Sequence, residues 1–239
     1  MNKNNSLIFA ITILISGIVI GGGVFLSRTE ILDNIFDKLK KEEVIEIQES
    51  QIQPISDEDH IIGNPDASII IIEYSDFECP YCKEFHTTMR RIIDNYGQNG
   101  NVAWVYRHAP LEEVHVNSKR VSLVSECVAK IGGENKFWNF TNQIFDNAPD
   151  SLLKTNTDLI LESLNLDPIE INTCTEEPEI INLVNSDSED VKYLRSIDSD
   201  FGTPYNIIIT KTGVQENIPE AIPYKLLSDF IEQHTLNFN

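Results

Sequence analysis

The sequence predicts an α/β domain with a helical insertion, carried behind one N-terminal apolar helix. Three observations lead there. An uncharged run of 20 residues lies near the amino terminus, a buried-type strand runs directly into Cys79-Pro80-Tyr81-Cys82, and helical periodicity fills the chain from about Glu113 to Asp198. A chain of 239 residues suits one domain with a sizeable core plus attached segments. Eighteen basic against thirty-eight acidic side chains leave a formal charge of -20. Such a field repels phosphate backbones, so no nucleic-acid partner is expected. The charge is spread along the chain, reads as an acidic surface, and identifies no substrate.

The apolar run covers Leu7 to Leu26, with Thr12 and Ser16 as its polar side chains. At about 1.5 Å per residue it is long enough for a hydrocarbon core. Its exit, Gly21-Gly22-Gly23-Val24-Phe25-Leu26-Ser27, lacks the small-residue cleavage pattern of a signal peptide. Residues 7–26 therefore read as a transmembrane anchor or uncleaved signal with membrane lipid as partner, and residues 1–6 as a cytoplasmic N-terminus. Charge counting alone leaves the orientation open, with Lys3 on one side and Arg28, Lys38, Lys40 and Lys41 on the other. Residues 27–58 read as stalk and spacer: Ile31, Ile35 and Leu39 recur at helical spacing until charge and Pro54 break the pattern.

The domain proper is expected over residues 59–239. Ala67 to Tyr74 is a nearly continuous β-branched run, the mark of a strand buried on both faces. From Pro80 onward, Phe85, Met89, Ile92, Ile93 and Tyr96 mark one helical face. Pro80 suits its first turn and Gly97 its end. Val102 to Tyr106 reads as a second strand, parallel to the first through a right-handed crossover. The helical insertion, about residues 113–198, carries Leu123, Val124, Cys127, Val128 and Ile131 on one stripe. Phe137, Trp138, Phe140, Ile144 and Phe145 fall in the next segment. Strand character returns at Tyr205 to Thr210, turns at Lys211-Thr212-Gly213, and yields to a last helix with Tyr224, Leu227, Phe230 and Ile231.

Cys79-Pro80-Tyr81-Cys82 carries the chemistry. A sulfur at a helix N-terminus sees backbone N–H groups and the positive end of the dipole, so its thiolate is favoured. Such thiols titrate at about 3.5–7.5 against about 8.5 unperturbed. Cys79 is thereby both nucleophile and leaving group, and Cys82, one turn along and facing inward, is the resolving thiol. Half of a zinc site is the competing reading. It needs two more ligands at short spacing, whereas Cys127 and Cys174 lie 47 residues apart and His86, His108 and His115 show no ligand motif. Neither a metal nor a cofactor is expected.

Four motifs carry a resemblance over roughly residues 59–236: the strand leading into Phe77-Glu78-Cys79-Pro80-Tyr81-Cys82; Trp104-Val105-Tyr106-Arg107-His108-Ala109-Pro110-Leu111 with His115 after it; Glu126-Cys127 with Lys136-Phe137-Trp138; and Gly202-Thr203-Pro204 before the final hairpin. Together they resemble the DsbA-like branch of the thioredoxin superfamily, in which a helical insertion interrupts the thioredoxin fold. The resemblance implies an extracytoplasmic thiol:disulfide oxidoreductase that introduces disulfides into exported proteins. It implies a membrane reoxidase partner of the DsbB or vitamin K epoxide reductase type. Pro204 takes the place of the family's cis-proline beside the catalytic disulfide. There Thr203 and Pro204, with Pro80 and Tyr81 at the tip, would hold a substrate peptide.

Glu73 takes the place of the family's buried acid. Burial should raise its pKa and fit it to relay a proton to or from Cys82, unless its side chain reaches the strand edge and solvent. Cys127 and Cys174 take the place of a second, structural disulfide, with two buried core thiols as the alternative. Arg107 and His108 fall in a motif without a derivable role, and a structural hydrogen bond is favoured for His108. The dipeptide Pro80-Tyr81 is the glutaredoxin one rather than Pro-His, so isomerase and reductase directions stay open. A binding or chaperone-like module with a merely structural Cys79–Cys82 disulfide is the reading from another class.

Overall fold

The structure, a computed structural model, describes residues 52–211, 215–218 and 220–236. The expected apolar span Leu7 to Leu26 and the helical stretch of the stalk lie outside the described residues. Among the described residues no helix is long and apolar enough to cross a membrane.

Two strands of β-branched and aromatic residues form the centre of a five-stranded sheet. They are β2 (Ile69–Ser75) and β3 (Val102–His108), paired in parallel with Glu73 opposite Tyr106. The crossover between them is α1 (Pro80–Ile92), extended by a π-helical turn, Ile93–Gly97. β4 (Tyr205–Thr210) pairs antiparallel with the other side of β2, placing Asn206 opposite Glu73. β5 (Gln215–Ile218) closes that edge antiparallel to β4. The opposite edge is β1 (His60–Gly63), antiparallel to β3. The spatial order is β1-β3-β2-β4-β5. The sequence reading lacked β1, because four residues carry too little periodicity to read as a strand. Gly63, at φ +106°, sits where a Cβ would meet the Val102 carbonyl oxygen at 2.5 Å, so this register requires glycine.

Between β3 and β4 the chain makes α2 (Ser118–Gly132), α3 (Glu134–Asn147), a short 3₁₀ turn, α4 (Lys154–Ser163), α5 (Pro168–Cys174) and α6 (Pro178–Ile197). α7 (Tyr224–Leu236) follows β5. Period-two alternation sends β2 and β3 side chains to two sheet faces. Ile72, Tyr74 and Val105, with Tyr205 and Ile207 of β4, pack under Val191 and Leu194 of α6. On the other face, His86 of α1 meets Trp104 with ring centroids 5.1 Å apart, and Phe77 meets Tyr106 at 5.6 Å. α1 buries Cys82, Phe85, His86, Met89 and Ile92 and packs against α7.

The expected spacer ends differently from the sequence reading. From Ile52 onward the chain is docked on the domain, with Ile52 in the core under α6. Arg107, buried on β3, explains the docking. Its guanidinium donates to Asp59 (2.7 and 3.1 Å), the Gln53 and Pro54 carbonyls (2.9 and 3.2 Å), the Tyr74 hydroxyl (3.0 Å) and Asp190 (3.0 Å). Asp190 also accepts from the Gln53 amide at 3.1 Å. A polar, proline-bearing stretch read as linker because its partners lie far away in sequence.

Candidate active site

Topology brings three loops to one end of the sheet. Parallel β2 and β3 both finish there, and antiparallel β4 begins there, so residues 76–79, 109–117 and 202–204 become neighbours. Cys79 is the N-cap of α1, with extended backbone (φ -75°, ψ 123°), and Pro80 opens the helix. The Cys79 N–H donates to the Asp76 carbonyl (3.1 Å) and the Cys79 Sγ to the Thr203 carbonyl (3.2 Å). Thr203–Pro204 is a cis peptide. Pro80 and Tyr81 are exposed at the tip.

The two sulfurs are unequal. Cys79 retains 5% exposure and Cys82 none. Hydrogen bonding with the Cys82 thiol, then with Thr203 and the Cys82 and Tyr81 amides, outweighs burial and lowers Cys79 to about 6. Burial, reinforced by the neighbouring Cys79 sulfur and by Glu73, holds Cys82 well above the ordinary thiol range. The Asp76 amide donates to Cys82 Sγ at 3.3 Å.

Glu73 does not reach solvent. It is fully buried, and burial pushes its carboxyl up to about 8 despite the Trp104 indole, which donates to Oε2 at 3.0 Å. The Ser75 hydroxyl, on the same sheet face as Tyr106, also opposes that rise by hydrogen bonding. Near neutral pH this acid therefore carries a proton on the side of the sheet that packs Cys82.

Cys127 and Cys174 lie in the insertion, away from this end of the sheet, and form a disulfide with S–S 2.10 Å. It ties α2 to α5. His108 is held by hydrogen bonding: its Nε2 meets Glu126 Oε1 at 2.8 Å. His60 Nε2 meets the same oxygen at 3.2 Å, and His60 Nδ1 meets Glu134 Oε2 at 2.9 Å. Burial draws His60 down, but Glu126 and Glu134 carry it up to about 9. Residue spacing missed this meeting of His60, His108 and Glu126, which are metal-ligating residue types. They come from β1, β3 and α2, and only the tertiary fold joins them.

Sequence reasoning also missed Asp76. Its buried carboxylate accepts from the amides of Glu78 and Leu111, both at 2.8 Å, and from His115 Nδ1 at 2.9 Å. An Asp followed two residues later by its own amide partner is a common turn device. That spacing was the available signal.

Comparison with known proteins fits this geometry. The Thioredoxin_4 family model, described as thioredoxin, matches residues 56–220. Disulfide bond formation protein D of Bacillus subtilis is 27% identical over 153 residues, covering 64% of this chain and 65% of that protein. Na(+)/H(+) antiporter NhaA 1 of Mycolicibacterium gilvum is 34% identical over 100 residues, 41% of this chain. The chain spans only about 15% of the length of that antiporter. Among solved structures, oxidised BdbD from Bacillus subtilis superposes with TM-score 0.63 at 20% identity, covering 77% of this chain and 96% of that one. With the family model spanning more than half of its length, the chain belongs to the thioredoxin family, and its fold is the DsbA-like form with a helical insertion.

Proposed function

We propose that this protein is a thiol:disulfide oxidoreductase working outside the cytoplasm, anchored by residues 7–26, and that it introduces disulfides into exported proteins. The observation that carries the reading is the inequality of the pair: a buried Cys79 lowered to about 6 beside a Cys82 held well above the ordinary thiol range. A substrate thiolate attacks Cys79 Sγ of the oxidised pair, breaking the Cys79–Cys82 bond and leaving Cys82 as thiolate. Glu73 supplies the proton that Cys82, in its buried setting, takes up. A second substrate thiolate then attacks the mixed disulfide, forming the substrate disulfide and releasing the Cys79 thiolate, which is a good leaving group because its pKa is low. The two electrons now held by the pair pass to a membrane reoxidase of DsbB or vitamin K epoxide reductase type.

The Thr203 carbonyl faces the Cys79 sulfur, and exposed Pro80 and Tyr81 stand at the tip of α1. In this reading they hold an extended substrate peptide in the manner of an added strand. Mixing the oxidised protein with a reduced dithiol peptide tests the chemistry. A mixed disulfide at Cys79 followed by release of cyclised peptide is expected. A peptide that stays reduced would leave a binding module with a structural disulfide. Equilibration with glutathione then sets the direction, because about 30 mV corresponds to roughly 1.4 kcal/mol for a two-electron couple. A strongly reducing pair would convert the reading to reductase.

A further inference from the structure

We propose that His115, held on the Asp76 carboxylate, is the placed cation that stabilises the thiolate of reduced Cys79. It is a tuning residue for the exchange reaction rather than a brace for its loop. This rests on the exchange chemistry proposed above and deepens it.

The geometry starts from Asp76, which is fully buried and touches both members of the pair through its backbone. Its carbonyl accepts the Cys79 amide at 3.1 Å, and its amide donates to Cys82 Sγ at 3.3 Å. Its side chain fixes the His115 ring at 2.9 Å. One residue thus ties an imidazole to the sulfur pair. Next to it, Glu78 accepts from the amide of Asn117 at 2.8 Å, so the loop after β3 is clasped to the segment before Cys79 at two points.

The dipeptide between the cysteines, Pro80-Tyr81, carries no charge. Lys83, on the first turns of α1, points its ammonium at the carbonyls of Ala148 (3.0 Å) and Asp146 (3.4 Å). Neither adds a cation to the hydrogen bonds that lower Cys79, and His115 arrives on the adjoining loop. Burial opposes charge on His115, but Asp76, Cys79 and Glu78 raise its pKa. Glu113, paired with Arg195, faces it from its own loop. Thiolate and imidazolium support each other, so reducing the disulfide should strengthen proton binding at His115.

The test prepares both redox forms of the protein chemically, with dithiothreitol and with oxidised glutathione, and follows the His115 ring resonances against pH by NMR. His115 should titrate higher in the reduced form. In His115→Gln, the Cys79 titration should move up, and the equilibrium with glutathione should shift toward the disulfide by about threefold or more. That is the scale of one charge pair at partial exposure. His115→Lys should bring the equilibrium back toward wild type. Equal His115 titration in the two forms would overturn the proposal, as would a Gln variant that melts earlier with Cys79 titration and equilibrium unchanged. If wild-type protein fails to oxidise peptides while His115 still responds to the redox state, the functional reading fails and the coupling stands.

Discussion

Cys79 and Cys82 share the first turn of α1, whereas Cys127 and Cys174 lie 47 residues apart and join α2 to α5. The first pair sits where three loops converge, and its sulfurs face backbone groups of Thr203 and Asp76. The second is enclosed by insertion helices. Both pairs are buried, so exposure does not separate them; surroundings do. Hydrogen bonds to the Cys79 sulfur from the Cys82 thiol and the first amides of α1, set against the deeper burial of Cys82, split the acidities of the first pair, and reactivity follows that split. The second pair only shortens the unfolded chain's freedom.

The comparison breaks most sharply by substitution. Cys79→Ser should reduce peptide oxidation to the uncatalysed rate, read by peptide thiol loss. Replacing both Cys127 and Cys174 with Ala should leave that rate near wild type and lower the melting temperature. Closing a 47-residue loop contributes at most about 4 kcal/mol by the chain-entropy estimate. For a domain of this size that is a drop of about 10 °C in calorimetry. A double variant that melts like wild type but is inactive would reverse the assignment of the two pairs.

A smaller effect concerns Glu73. In the folded protein it keeps its proton up to about 8, and when unfolded it releases it near 4.5. Between those values the folded state binds more protons, so stability is full below about 4.5 and declines as pH rises through about 8. Glu73→Gln removes that slope. In the oxidised form, where the thiols do not titrate, the variant should gain on wild type as pH rises across this window in denaturant melts. It should also slow peptide oxidation about tenfold or more, since placed acids contribute factors of 10²–10⁴. Identical pH slopes in both proteins would mean that Glu73 is ionised when folded.

The central strands, α1 and Cys79-Pro80-Tyr81-Cys82 were legible because their signals are local: β-branched runs, a helical stripe, a proline at the first turn. The insertion was legible for the same reason. What the chain hid are meetings between distant residues. His115 reaches Asp76 across 39 positions, His60 reaches Glu126 across 66, and Arg107 reaches Asp190 across 83. None has a spacing pattern, and each depends on the sheet order. The docking of Gln53 and Pro54 was invisible for that reason, since a backbone carbonyl that receives a guanidinium looks like any other. Glu73 was legible because a carboxylate stands out among Ile71, Ile72 and Tyr74. The hydroxyls of Ser75 and Tyr106 that join it on one sheet face were not.

The most direct test of the central claim is the alkylation rate of the fully reduced protein as a function of pH, with the modified residue identified by peptide mapping. Cys79 should react first, with its rate rising through a midpoint at about pH 6. Cys82 should stay protected until far more alkaline conditions, because burial and the adjacent sulfur hold its proton. Reaction at Cys82 before Cys79, or no reaction at either below the ordinary thiol range of about 8.5, would contradict it.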